Sequence, residues 1–179
     1  MRVVDLHIVT GAPGTGKTAV LHGIGQGIHL VREPAREILA EQRTVGGAGT
    51  WDRDPARFVE LLLERSIEKH DAAGRLAGPV IFDRGIPDCI AYAMLYGIDL
   101  APSLRAADAH RYHHEVLVLA PWEEIYTTDD ERTMPFADTI AFHDALVDAY
   151  SRTGYALVEV PRATVAERAA FVRDILGTR

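Results

Sequence analysis

The chain has 179 residues, of which 47% are hydrophobic and 25% charged, a composition typical of a globular protein with a substantial core. Its net charge is −7 and no stretch concentrates Lys or Arg, which disfavours a polymeric nucleic acid as main partner. No apolar run approaches the roughly 18 residues of a membrane span, and the single cysteine, Cys89, excludes an intrachain disulfide. Because the first strand begins almost at the N-terminus, we expect no signal peptide and a cytoplasmic protein.

Short apolar runs alternate along the chain with longer helical segments. The patterns predict strands at residues 6–9, 28–31, 80–83, 115–119 and 155–160. They predict helices from residue 18 and over 35–42, 55–73, 86–96, 100–109, 136–152 and 164–176. Strands that alternate with helices favour a parallel sheet covered on both faces. We therefore expect one α/β domain over residues 1–179, with a five-stranded parallel sheet.

The first strand is followed by a complete phosphate-binding P-loop of the form GxxxxGK[ST]. Its residues are Gly11, Ala12, Pro13, Gly14, Thr15, Gly16, Lys17 and Thr18. Glycines let backbone N–H groups turn inward around phosphates, Lys17 can reach the β- and γ-phosphates, and the Thr18 hydroxyl can hold Mg²⁺. The helix that follows aims its positive N-terminal end at the anion. The motif predicts a P-loop NTPase fold that binds a nucleoside triphosphate, taken here as ATP.

Polar residues follow the second strand, at the sheet edge where open α/β folds bind ligands. Glu33 lies where an acceptor would approach, and its carboxylate could take the proton of an attacking hydroxyl. The alternative for Glu33 is a first-turn glutamate favoured by the helix dipole. Arg36, three residues on, faces roughly the same side of the predicted helix. It either clamps an anionic group of the substrate or pairs with Glu33.

Asp83-Arg84 follows the third strand. Asp83 has the position of a Walker B acid that holds Mg²⁺ directly or through water, the alternative being a cap on the next helix. Arg84 stands where many motor ATPases have a second acid, which disfavours that class. We expect Arg84, and Asp88 in the next helix, to bind the substrate. Whether Glu33 or Asp83 serves as the base is left open.

Residues 123–135 are polar and are interpreted as a mobile lid over the site. Arg132 is the only cation in this segment and could neutralise charge on the transferred phosphoryl group. The alternative is a solvated acidic loop in which Arg132 pairs locally. Arg162, after the fifth strand, is placed at the adenine pocket by position alone. His113 and His114 lack further ligand spacing and are expected to be core or surface residues.

The ordered motifs GTGKT at 14–18, EPARE at 33–37, FDRG at 82–85 and YTTDDER at 126–132 resemble the NadR-type family of small P-loop AAA domains over nearly the whole chain. That family is similar to the ribosylnicotinamide kinase domain of NAD-synthesis regulators and, more remotely, to nucleoside and thymidylate kinases. The resemblance implies that Glu33 is the base, that Asp83 lies near Mg²⁺ and that Arg84 contacts phosphate or substrate. Such kinases often carry two or more lid arginines, whereas this lid has one.

The leading interpretation is a small-molecule kinase that moves the γ-phosphoryl group of ATP to a hydroxyl of a nucleoside-like or natural-product acceptor. The alternative is a nucleotide-dependent switch or binding protein, using ATP or GTP with little phosphotransfer. No Asn-Lys-x-Asp or Thr-Lys-x-Asp segment occurs, which weakens the GTP version of that alternative.

Overall fold

The structure is a computed structural model that describes residues 5–127 and 134–177. The strands are β1 (Leu6–Gly11), β2 (His29–Val31), β3 (Val80–Asp83), β4 (Glu115–Leu119) and β5 (Ala156–Glu159). The helices are α1 (Lys17–Gly23), α2 (Pro34–Val45), α3 (Pro55–Ala73), α4 (Ile86–Tyr96), α5 (Ala101–Ala109), α6 (Phe136–Arg152) and α7 (Val165–Ile175). Every predicted strand and helix is present, and the α/β fold class is confirmed.

The five strands form one parallel sheet in the order β2-β3-β1-β4-β5. β1 lies at its centre, where Val9 is in register with Asp83 of β3 and with Leu117 of β4. The carboxyl ends of these three strands therefore meet at one edge of the sheet. The P-loop leaves that edge directly from β1, between the segments that follow β3 and β4.

Both faces of the sheet are buried, because successive side chains of a strand point to opposite faces. Ile8 and Phe82 belong to a core on the face covered by α4 and α6. Val9 and Leu117 belong to the opposite core, covered by α1 and α7. Cys89 packs in a third apolar cluster between α2, α3 and α4, where burial raises the pKa of its thiol to about 12.

The helix boundaries follow local signals read from the sequence. Asp54 accepts a hydrogen bond from the backbone N–H of Arg57, and Thr164 forms a capping box with Glu167. α2 runs three residues past the predicted end because Gly46, in the left-handed conformation with φ 65°, is what ends it. Over residues 5–127 and 134–177, no helix combines the length and apolar character needed to cross a membrane.

Candidate active site

The P-loop has the backbone that its glycines permit. Gly14 and Gly16 both have φ 79°, in the left-handed region that residues with a Cβ rarely adopt. The hydroxyl of Thr15 donates to the carbonyl of Ala12 over 3.0 Å and closes the turn. α1 starts directly behind the loop at Lys17, so the positive end of its dipole faces the loop. This geometry is suited to a polyphosphate anion.

Three predicted catalytic side chains converge beside this loop. Lys17 Nζ forms a buried ion pair with Asp83 Oδ1, at the end of β3. The same ammonium lies 3.9 Å from Glu33 Oε2, just beyond the end of β2. The structure thus brings the P-loop lysine together with two carboxylates, one from the segment after β2 and one from the end of β3.

Glu33 is held by cations on both of its oxygens. Oε2 accepts from Arg36 Nε over 3.0 Å, and Oε1 accepts from Arg84 Nε over 2.8 Å. Burial by itself raises the pKa of Glu33, but the charges of Lys17, Arg84 and Arg36 more than offset it and bring the value to about 2. Glu33 is therefore an ionised acceptor of hydrogen bonds at neutral pH.

Arg36 makes the pair with Glu33 that the spacing allowed, and its side chain is half exposed. Its Nη2 also lies 3.5 Å from the hydroxyl oxygen of Thr18, at the limit of a hydrogen bond. The guanidinium therefore lies between the Glu33 carboxylate and the P-loop, with one side exposed.

Arg84 combines an unusual backbone with a buried charge. Its φ of 71° is the only positive value at a non-glycine residue among those described, and such conformations cost on the order of 1–3 kcal/mol. The guanidinium lies 5.3 Å over the ring of Phe142 and donates from Nη1 to Asp88. Burial lowers the pKa of Arg84, but nearby groups, Glu33 above all, raise it well above its ordinary value. Arg84 remains charged and fixed toward Glu33.

Asp88 lies in a different environment from the one its predicted substrate-binding role requires. Oδ1 accepts from Thr10 Oγ1 over 2.8 Å and from Arg84 Nη1 over 2.9 Å. Oδ2 accepts from the Gly85 N–H over 3.0 Å and from the Tyr150 hydroxyl over 2.6 Å. All four acceptor sites of the carboxylate are occupied and the residue is 2% exposed. Its position in the first turn of α4 turns it back into the protein, so it orients Arg84 rather than facing a ligand.

The two predicted Mg²⁺ ligands, Thr18 and Asp83, supply a hydroxyl and a carboxylate oxygen. In the described part of the chain, no cluster of three or more His, Cys, Asp or Glu side chains could hold a metal by itself. Mg²⁺ is usually bound by one or two protein oxygens together with substrate phosphates and water. The donor set therefore fits Mg²⁺ that arrives with a nucleotide.

The first part of the predicted lid packs against the P-loop. Glu123–Ile125 forms a 3₁₀ turn, and the ring of Tyr126 fills the space where a Cβ on Gly14 would stand. The Tyr126 hydroxyl donates to the carbonyl of Met134. Arg132 lies in residues 128–133, outside the described residues. Sequence reasoning placed a lid here but did not single out Tyr126.

Arg162 lies beside a cavity of about 380 Å³ between the start of α6 and the segment after β4. Its Nη2 donates to the carbonyl of Pro121 over 2.9 Å, and Phe136 and His143 line the same cavity. Two acidic side chains, Glu123 and Glu124, also line it. Its role as the adenine pocket stays a prediction.

One residue at the site was missed from the sequence. Arg168 of α7 donates from Nη2 to the carbonyl of Thr15 in the P-loop over 2.8 Å. The sequence did carry a signal for its burial: Arg168 lies four residues before Val172 and therefore on the buried face of the helix. A charged side chain on a buried face is costly unless it has a hydrogen-bond or ion-pair partner.

Comparison with known proteins identifies the family of the chain. A family model described as an AAA domain, AAA_28, matches residues 6–168. The chain belongs to this family. No curated protein matches it closely enough to count as a relative.

Solved structures share the fold of this AAA-family chain. A thymidylate kinase from Ehrlichia chaffeensis has a TM-score of 0.64 at 18% identity, over 97% of this chain and 99% of that one. A NadR protein in complex with NR has a TM-score of 0.72 at 17% identity, over 98% of this chain. This chain spans about half of that protein, 51%. A deoxyadenosine kinase from M. mycoides has a TM-score of 0.64 at 13% identity, over 96% and 98%. These likenesses establish a nucleoside-kinase-like P-loop fold.

Proposed function

We propose that the protein is an ATP-dependent small-molecule kinase that transfers the γ-phosphoryl group to a hydroxyl of a nucleoside-like or natural-product acceptor. The observation that carries the proposal is the position of Glu33, an ionised carboxylate 3.9 Å from the P-loop Lys17 and hydrogen-bonded to Arg84. A hydrolase would use a carboxylate at this position to activate water, so stimulation by an acceptor is what distinguishes transfer from hydrolysis. The kinases among the structures of similar fold support this choice.

Each residue then has a role set by its position. The loop amides and Lys17 bind and neutralise the phosphates, and Thr18 and Asp83 would hold Mg²⁺, which supplies charge stabilisation on the phosphate oxygens when bound. Phosphates entering the loop would compete with Asp83 and Glu33 for Lys17. Glu33 would then orient the acceptor hydroxyl and accept its proton, while Arg84 and Arg36 fix the carboxylate.

The pKa of Glu33 bears on the choice of base. A carboxylate with a pKa of about 2 is a weak base, but phosphoryl transfer has a loose transition state in which the hydroxyl loses its proton late. Orientation of the hydroxyl is then worth more than basicity. If Lys17 pairs with the phosphates instead of with Glu33, its charge lowers the pKa of Glu33 less, and that pKa rises. We therefore assign the base to Glu33 and leave Asp83 to the metal.

The test is acceptor-stimulated release of ADP from MgATP across a panel of nucleosides, nucleotides and other alcohols. We expect one acceptor class to stimulate release in the wild type, and we expect Glu33→Gln to lose the stimulation while it retains MgATP binding. Lys17→Ala should lose both. Hydrolysis that no acceptor changes would contradict the proposal.

The second candidate is a nucleotide-dependent switch. The observation that favours it is the packing of Tyr126 against Gly14, because a change in the conformation of the loop would move the Tyr126 ring. In that case Glu33→Gln and Asp83→Asn would leave nucleotide-driven rearrangement of the 122–126 segment intact, whereas Lys17→Ala would abolish it. Fluorescence of Trp122, in Trp51→Phe protein, would report that rearrangement.

A further inference from the structure

Arg168 places a buried positive charge behind the P-loop. The residue is 3% exposed, and its guanidinium carbon lies 5.7 Å from the centre of the Trp122 ring. No carboxylate of the described residues lies within ion-pair distance of it, and its Nε has no hydrogen-bond partner there. A buried charge without a carboxylate is costly, so a compensating role is expected.

Arg168 contacts the P-loop at a single peptide unit, the one that joins Thr15 to Gly16. Arg168 Nη2 donates to the carbonyl of Thr15 over 2.8 Å. Arg168 Nη1 would lie 2.8 Å from a Cβ at Gly16, so a side chain at this position would displace the guanidinium from where it lies. The cation is therefore confined between the Trp122 ring and the Thr15–Gly16 peptide.

The geometry of a trans peptide links this contact to phosphate binding. The C=O of Thr15 and the N–H of Gly16 belong to the same planar unit and point in opposite directions. A donor that holds the carbonyl from behind the loop therefore turns the N–H toward the opposite, phosphate-binding side. Inward N–H groups are what a P-loop offers to an anion.

We propose that Arg168 is a positioning residue for the nucleotide phosphates, which fixes the Thr15–Gly16 peptide so that the Gly16 N–H faces the bound anion. The inference rests on nucleotide binding by the P-loop, which is part of the proposed function. The bound polyphosphate in turn places negative charge near the guanidinium. Burial lowers the pKa of Arg168, in keeping with a guanidinium that has no carboxylate partner among the described residues.

The test compares the affinity of full-length wild type, Arg168→Met and Arg168→Lys for MgADP and for magnesium tripolyphosphate by titration calorimetry. We expect Arg168→Met to bind both ligands about tenfold more weakly, and Arg168→Lys to recover part of the loss because it keeps one donor. Arg173→Met is the matched control on the same helix, where Arg173 Nη1 reaches the Gly23 carbonyl at the far end of α1. It should bind both ligands as the wild type does.

Two results would overturn the inference. One is unchanged affinity in Arg168→Met together with a lower melting temperature of the nucleotide-free protein, which means packing alone. The other is a loss confined to MgADP, which means a contact with base or ribose instead of the phosphates. If Arg168→Met does not fold, the comparison rests on Arg168→Lys and Arg173→Met: the inference requires Arg168→Lys to bind both ligands more weakly than Arg173→Met. Failure of the wild type to bind either ligand would contradict the proposed function itself.

Discussion

Arg84 Nε donates a 2.8 Å hydrogen bond to Glu33 Oε1 across 51 residues of sequence, and both side chains are buried. The same guanidinium is held by Asp88, which Thr10 and Tyr150 hold in turn. The Glu33 carboxylate is thus positioned by a hydrogen-bonded network that reaches into the core. Such a network is rigid while complete and costly to interrupt.

Arg84→Met should strongly destabilise the protein, because it leaves Glu33 and Asp88 as buried carboxylates without their shared cation. The expected loss is about 3–5 kcal/mol of the free energy of unfolding, measured by urea denaturation. Arg152→Met is the control, since Arg152 pairs with Asp148 on the exposed surface of α6 and should cost below about 1 kcal/mol. A similar small loss in both variants would contradict the account of the network.

Glu33 should make stability fall in acid. Its pKa is lowered from 4.5 to about 2, so in that window the unfolded chain binds a proton that the folded chain does not. The stabilisation is therefore complete above about pH 4.5 and is lost as the pH falls toward 2. Glu33→Gln lacks this dependence. As the pH falls from 6 to 3, the free energy of unfolding should therefore fall more in the wild type than in Glu33→Gln. A difference that is constant with pH in denaturation experiments would exclude a lowered pKa.

Gly14→Ala should cost more than a left-handed backbone alone explains. Gly14 and Gly97 both have positive φ, but only at Gly14 would a Cβ meet another group, the ring of Tyr126. Gly97→Ala should therefore lose about 1–2 kcal/mol for φ alone, and Gly14→Ala clearly more. Tyr126→Ala as background should bring the cost of Gly14→Ala down to that of Gly97→Ala. Equal costs in all backgrounds, in urea denaturation, would show that Tyr126 does not cover the loop.

The fold could be predicted because its signals are local. Apolar runs marked the strands, and the P-loop fixed the first strand–helix junction. Asp54 and Thr164 capped helices where the sequence indicated, whereas the end of α2 depended on Gly46 adopting φ 65°. Glu33 and Asp83 could be placed at the site because parallel strands end at one edge.

The contacts of Asp88 and Arg168 could not be predicted in the same way. From its position in the sequence Asp88 was predicted to bind the substrate. Its carboxylate oxygens instead accept hydrogen bonds from Thr10 and Tyr150, which are 78 and 62 residues away. Arg168 reaches Thr15 across 153 residues. Such pairings depend on how helices pack over the sheet, which periodicity within one segment does not encode.

The most direct test of the account follows the label of [γ-³²P]ATP in the presence of the stimulating acceptor, for wild type, Glu33→Gln and Lys17→Ala. We expect label on an acceptor hydroxyl with the wild type, a fall in labelling of about 10²-fold or more with Glu33→Gln, and no labelled acceptor with Lys17→Ala. Label that appears only as inorganic phosphate, at a rate unchanged by any acceptor and equal in wild type and Glu33→Gln, would contradict the account.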